Sequence, residues 1–155
     1  MQVNTKTVIK EWGSELWLAN NKERDYCGKI LTINPGGSSS LHFHANKHET
    51  FYVLEGELEV VIVDTCTTEE SLHFLLPGDS FEITPHTPHR LCATGKQAKF
   101  IEISTFHEDS DSYRVSKLTT PVKLNYEKYI RSSSKWKTIC VQIRNRDDNK
   151  CKLCD

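Results

Sequence analysis

Gly36-Gly37-Ser38-Ser39-Ser40-Leu41-His42-Phe43-His44-Ala45-Asn46-Lys47-His48-Glu49-Thr50-Phe51-Tyr52-Val53-Leu54-Glu55-Gly56 is the stretch on which the reading of this chain turns. Run out as a strand over 40–44, it sets His42 and His44 on one face and Phe43 on the other, because side chains alternate along an extended backbone. A four-residue loop returns the chain as a second strand whose inner face carries Glu49, Phe51 and Val53. Two imidazoles and one carboxylate therefore converge. All seven histidines fall between His42 and His107, inside the part of the chain that alternates in this way.

Working outward, the same alternation marks runs at 26–33, 40–44, 50–54, 57–64, 72–75, 80–83, 89–93 and 100–105. Turn chemistry separates them: Asn34-Pro35-Gly36-Gly37, Glu55-Gly56, Leu76-Pro77-Gly78-Asp79 and Thr94-Gly95-Lys96. Many short strands without helical periodicity predict an all-β antiparallel sandwich or barrel of the jelly-roll kind, which hides its edges by closing on itself. Trp12-Gly13-Ser14-Glu15-Leu16-Trp17 reads as a segment covering a sheet edge or one mouth of the barrel. Beyond Arg114 the pattern weakens into two candidate strands (117–122 and 138–143), a short helix (125–131) and a serine linker. The chain thus divides into a β domain with an N-terminal edge segment over 1–115 and a short, partly irregular C-terminal extension over 116–155.

Composition narrows the function. The 155 residues are 37% hydrophobic and 26% charged, enough for one modest core and too polar for any run of the ~20 apolar residues that span a bilayer. Net charge is -1, so no nucleic-acid partner is expected, but residues 1–115 carry -7 and the extension +6. Without an apolar leader after Met1 the expected setting is cytoplasmic, and Cys27, Cys66, Cys92, Cys140, Cys151 and Cys154 read as reduced thiols.

The spacing Gly36, His42, His44, Glu49, Gly56 is a full match to the first cupin motif, G(x)5HxH(x)4E(x)6G. The run from Gly78 to His89 resembles the second, G(x)5PxGxxH(x)3N, with Thr84 for the Pro, His86 for the Gly and Ala93 for the Asn. The chain resembles, in particular, the small cupins akin to the C-terminal region of type II mannose-6-phosphate isomerases. Glu11-Trp12-Gly13 is similar to that family's Pro-Trp-Gly start, and residues 40–53 to its SLQxHxxRxExWxV, with His42 for the Gln and Lys47 for the Arg. Residues 83–90 are similar to its IPPGTxHR, 101–103 to its IEV and 108–111 to its acidic exit, while of its closing Tyr-Gly-Arg only Tyr113-Arg114 remain. The resemblance implies a cupin jelly-roll β-barrel and a site of His42, His44, Glu49 and His89 for one divalent transition metal (Zn, Mn, Co, Ni or Fe), with open positions for water or substrate.

Two further residues are candidate catalytic groups. Lys29 shares a strand face with Leu31 and Ile33, so it is either a catalytic or substrate-binding group or an edge residue reaching out to water. Glu102 lies opposite in face to Ile101 and Ile103; facing inward it is a candidate base, although an outward, solvated position is the expected one. His48, His73, His86 and His107 read as non-ligands, and Cys151-Lys152-Leu153-Cys154 as thiols on a solvated basic tail that lacks the second pair a zinc site needs. The leading expectation is a metal-dependent enzyme acting on a small polar molecule, a sugar or sugar phosphate, by isomerisation or epimerisation, with a homodimer possible. The alternatives are an Fe(II)-dependent dioxygenase and a non-catalytic metal- or ligand-binding module.

Overall fold

The computed structural model describes residues 4–65, 67 and 69–116; the runs read in the extension, and its CxxC, lie outside them. Among the described residues eleven strands are formed: β1 (Lys6–Lys10), β2 (Gly13–Asn21), β3 (Tyr26–Ile33), β4 (Leu41–His44), β5 (Glu49–Glu55), β6 (Leu58–Val63), β7 (Glu70–Leu75), β8 (Ser80–Ile83), β9 (His89–Cys92), β10 (Ala98–Ser104) and β11 (Ser112–Ser116). They make a six-stranded sheet in the order β1-β2-β3-β10-β5-β8 and a five-stranded sheet in the order β11-β4-β9-β6-β7. Every ladder among the described residues is antiparallel. The two inner faces pack on each other, and the nearly all-β jelly roll read from alternation is what forms.

The eight predicted runs all become strands, most within a residue or two of the expected bounds. Three strands go beyond them. The segment holding the two tryptophans is no mere cover: β2 is hydrogen-bonded along β3, and β1 folds back on β2. Its Ser14, Glu15, Asn20 and Asn21 dilute the apolar alternation that announces a strand, and pairing with an already formed edge supplies what propensity does not. β11 is equally polar and is held by its ladder to β4.

The core is the interdigitation of Ile33, Phe51, Val53, Leu58, Val60 and Phe100, none more than 1% exposed. Each such side chain contributes roughly 1.5–3 kcal/mol on leaving water. Of the turns with left-handed backbone, two bear on the site. Gly56 (φ 78) lies where an added Cβ would come within 2.0 Å of the Gln97 carbonyl oxygen. His86 adopts φ 67, so the turn that a glycine makes in the second motif is retained here by a histidine, at some steric cost. Among the described residues no helix is long and apolar enough to cross a membrane.

Candidate metal centre

His42 and His44 alternate on β4, and His42 stands directly across the ladder from His89 on β9, so all three rings enter the barrel from the five-stranded sheet. Glu49 opens β5 on the opposite sheet and faces them across the core. The three imidazoles each offer one nitrogen within 4.8 Å of the others. Their outer nitrogens are spoken for: His42 Nδ1 donates to the Ser40 carbonyl at 2.8 Å, His44 Nδ1 to that of Asp111 at 3.0 Å, and His89 Nδ1 to that of Thr87 at 2.9 Å. A ring that donates from Nδ1 presents a bare Nε2 lone pair, and here three point inward.

The donor set fits a cation. Glu49 Oε2 lies 3.3 Å from His89 Nε2, and both atoms are buried without a hydrogen-bond partner. A carboxylate oxygen and an unprotonated ring nitrogen face to face repel each other unless something positive stands between them. Glu49 Oε1 is 3.7 Å from His44 Nε2 and accepts from Lys47 Nζ at 2.6 Å, which leaves Oε2 as its free donor. Three nitrogens and one oxygen with borderline hardness suit a divalent transition metal. Desolvation pushes His42 down to about 4, helped by neighbouring His89, and pushes His44 down to about 4 against the pull of Glu49. Desolvation also lowers His89. The rings are therefore neutral, the form that ligates, at any pH near 7.

Behind the three rings lies a buried ionic network. Lys47, expected only as a stand-in for the related family's Arg, is 3% exposed and bridges Glu49 and Glu102, donating to the latter at 2.5 Å. Burial alone would raise both carboxyl groups; Lys47 in each case, with His89 for Glu49 and Lys29 for Glu102, holds them below the usual range. Conversely, burial pulls the Lys47 ammonium down, and Glu102 and Glu49 together outweigh it and push it up. Glu102 points inward at 3% exposure, correcting the expectation of an outward, solvated position: the alternation that puts Ile103 in solvent is the one that buries Glu102. Its Oε1 also accepts from Ser104 Oγ and lies 3.4 Å from Lys29 Nζ.

Lys29 is 2% exposed, opposite Glu102 in the β3–β10 ladder, with its ammonium 4.4 Å from the Trp17 ring centroid and 3.9 Å from Glu15. It does not reach out to water. Lys29, Glu102, Lys47 and His107 line, together with the three histidines of the cluster, a cavity of about 640 Å³. Two further contributors gave little signal in the sequence. The Asp111 carboxylate accepts from the backbone N–H groups of Ala45, Asn46 and Lys47, fixing the turn between β4 and β5, and only its place in the acidic exit hinted at it. His107 follows β10 in irregular chain, outside any periodicity, yet its side chain reaches the same cavity.

A two-sheet antiparallel jelly roll with a histidine cluster inside its barrel defines a class of small-molecule-sized metal or ligand sites carried on strands. The family model for the cupin domain matches residues 29–104, so this part of the chain is a cupin domain. No curated protein sequence matches it. Among solved structures it is similar to the capsular polysaccharide assembling protein CapF from Staphylococcus aureus, at 17% identity and a TM-score of 0.64 over 73% of this chain and 34% of that one. KdgF from Halomonas sp. matches at 20% identity and 0.55, over 70% of this chain and 92% of that one. Oxalate decarboxylase from Bacillus subtilis matches at 15% and 0.65, over 98% and 38%. The chain thus spans about a third of the length of CapF, and the likenesses establish the fold.

Proposed function

We propose that the protein is a metal-dependent cupin enzyme that moves a proton between adjacent carbons of a small oxygen-rich molecule, a sugar or sugar derivative. The observation that carries this reading is the group of titratable side chains lining the cavity, the buried Lys29, Glu102 and Lys47 with the half-buried His107, beside the inward-facing imidazoles. A binding module can line its pocket with apolar groups alone, whereas proton transfer needs non-ligand acid and base groups within reach of the substrate. His42, His44, His89 and Glu49 are the residues proposed to hold the metal, which when bound supplies a Lewis acid for the substrate carbonyl. Lys29 orients a substrate oxygen from the lining of the same cavity. Glu102, already accepting from Lys47 and Ser104, serves in this reading less as a base than as the anion that anchors both lysines.

The division into a domain over 1–115 and a basic extension is kept as part of the proposal, as is a homodimer, for which the exposed Tyr52 and Ile103 on the outer face of the six-stranded sheet give support. The test is metal analysis of the purified protein followed by a screen of aldoses, ketoses and their phosphates with and without oxygen. About one divalent metal per chain is expected, lost in His44→Ala and His89→Ala, together with an O₂-independent conversion. Full metal occupancy in both variants refutes the ligand set, and stoichiometric O₂ uptake by the Fe(II)-loaded protein refutes the isomerase in favour of an oxygenase.

A further inference from the structure

His107 is held with more care than a loop residue outside the metal cluster needs. Its backbone is clamped by one side chain from the distant β2: the His107 N–H donates to Asn20 Oδ1 and its carbonyl accepts from Asn20 Nδ2, each at 2.9 Å. The preceding N–H, of Phe106, donates to Asp25 Oδ1 at 3.0 Å. The ring lies edge-on to Trp17, with centroids 4.9 Å apart, and its side chain is 13% exposed on the cavity wall.

The ring's contacts fix its tautomer. An ammonium has no lone pair, so Lys29 Nζ, 3.1 Å away, must donate to His107 Nδ1; the Asp109 carboxylate, 3.2 Å from Nε2, must accept from it. The proton therefore sits on Nε2 and the lone pair on Nδ1, beside Lys29. Around the pair stand Glu15 and Trp17 from β2, Glu102 from β10, and the His44 ring from β4 with its centroid 6.3 Å away.

We propose that His107 is the catalytic base of this site, with Lys29 as its partner and with Asp109 and Asn20 as positioning residues. The proposal rests on the proton-transfer reading above and assigns its central step. When a substrate enters, a Lys29 N–H turns from Nδ1 to the substrate oxygen and frees the lone pair. In an aldose the C2–H bond breaks, its proton passes to Nδ1, and the electron pair forms the C1–C2 double bond while the carbonyl pair moves onto O1. The O2 proton then passes to O1, the O2 electron pair forms the new carbonyl at C2, and Nδ1 returns its proton to C1. C2 is oxidised and C1 reduced within one molecule, so no external oxidant or reductant is consumed.

The test uses the full chain loaded with Mn²⁺ in D₂O, with D-mannose and D-fructose as probes and solvent deuterium at C1 and C2 followed by NMR. The wild type exchanges; His107→Gln loses about 100-fold or more of the exchange with its metal content unchanged, and added imidazole restores part of it in His107→Ala. Asp109→Asn gives a smaller loss. Long-range ¹H–¹⁵N spectra of the metal-free protein are expected to place the ring proton on Nε2. Unchanged exchange in His107→Gln, or a proton on Nδ1, overturns the proposal while leaving the enzyme reading in place. A wild type that exchanges neither probe overturns both.

Discussion

Lys47 is the residue on which both carboxylates of the site depend. It is buried between Glu49 and Glu102, and a methionine in its place fills similar volume while leaving two neighbouring buried anions without their shared cation. Breaking a buried pair in this way costs about 3–5 kcal/mol, so Lys47→Met is expected to lower the urea midpoint by that equivalent. A loss under about 1 kcal/mol would mean that Glu49 and Glu102 find other partners. The histidines set the acid limit of the metal-free protein. His42 and His44 titrate at about 4 when folded, against 6.5 for an unperturbed ring. The unfolded chain takes up those protons as pH falls through 6.5 and the folded one does not, so stability is complete above that value and falls between 6.5 and 4. Each ring contributes up to about 1.4 kcal/mol per pH unit inside the window. Glu49 and Glu102, depressed in the fold, add to the loss only at lower pH, as their stabilisation goes with protonation. Urea titrations from pH 7 to 4.5 check the slope, and a flat profile would contradict the neutral, desolvated rings.

At the scale of elements, what positions the site is the way short strands are clamped at their turns. β4 and β5 belong to different sheets, and the turn joining them carries Lys47 and is tied down by Asp111 just ahead of β11. The turn between β5 and β6 rests on Gly56, which is in the left-handed region and in contact with the Gln97 backbone. Gly56→Ala must either move that backbone or leave the turn, and a loss of about 1–3 kcal/mol is expected. Because β5 carries Glu49, the variant is also expected to bind metal more weakly; isothermal titration beside a denaturation curve measures both. Equal stability in the variant would show that the β5–β6 turn yields freely. These elements were legible in unequal measure. β3, β5, β6 and β8 follow plain alternation between turn residues, whereas β1, β2 and β11 are polar strands that exist because a neighbouring edge offers them a ladder.

For the whole molecule, the histidine cluster, the cavity lining and the strands described fall within residues 6–116. A protein ending at residue 130 is therefore expected to keep its metal affinity and to become more acidic, since most of the extension's excess of lysine and arginine lies within the removed tail. Failure of that protein to fold or to bind metal would make the extension part of the barrel. By itself the sequence determined the all-β class, the cupin domain and the convergence of His42, His44, Glu49 and His89. Alternation and loop length are local, and a period of two decides which side chains share a face. It did not determine which way Glu102 faces, that Lys47 is buried, or that His107 meets Lys29. Those depend on the packing of one sheet against the other and on a clamp between residues 87 positions apart. Burial and pairing of charge are properties of the closed barrel, and only the tertiary structure could decide them.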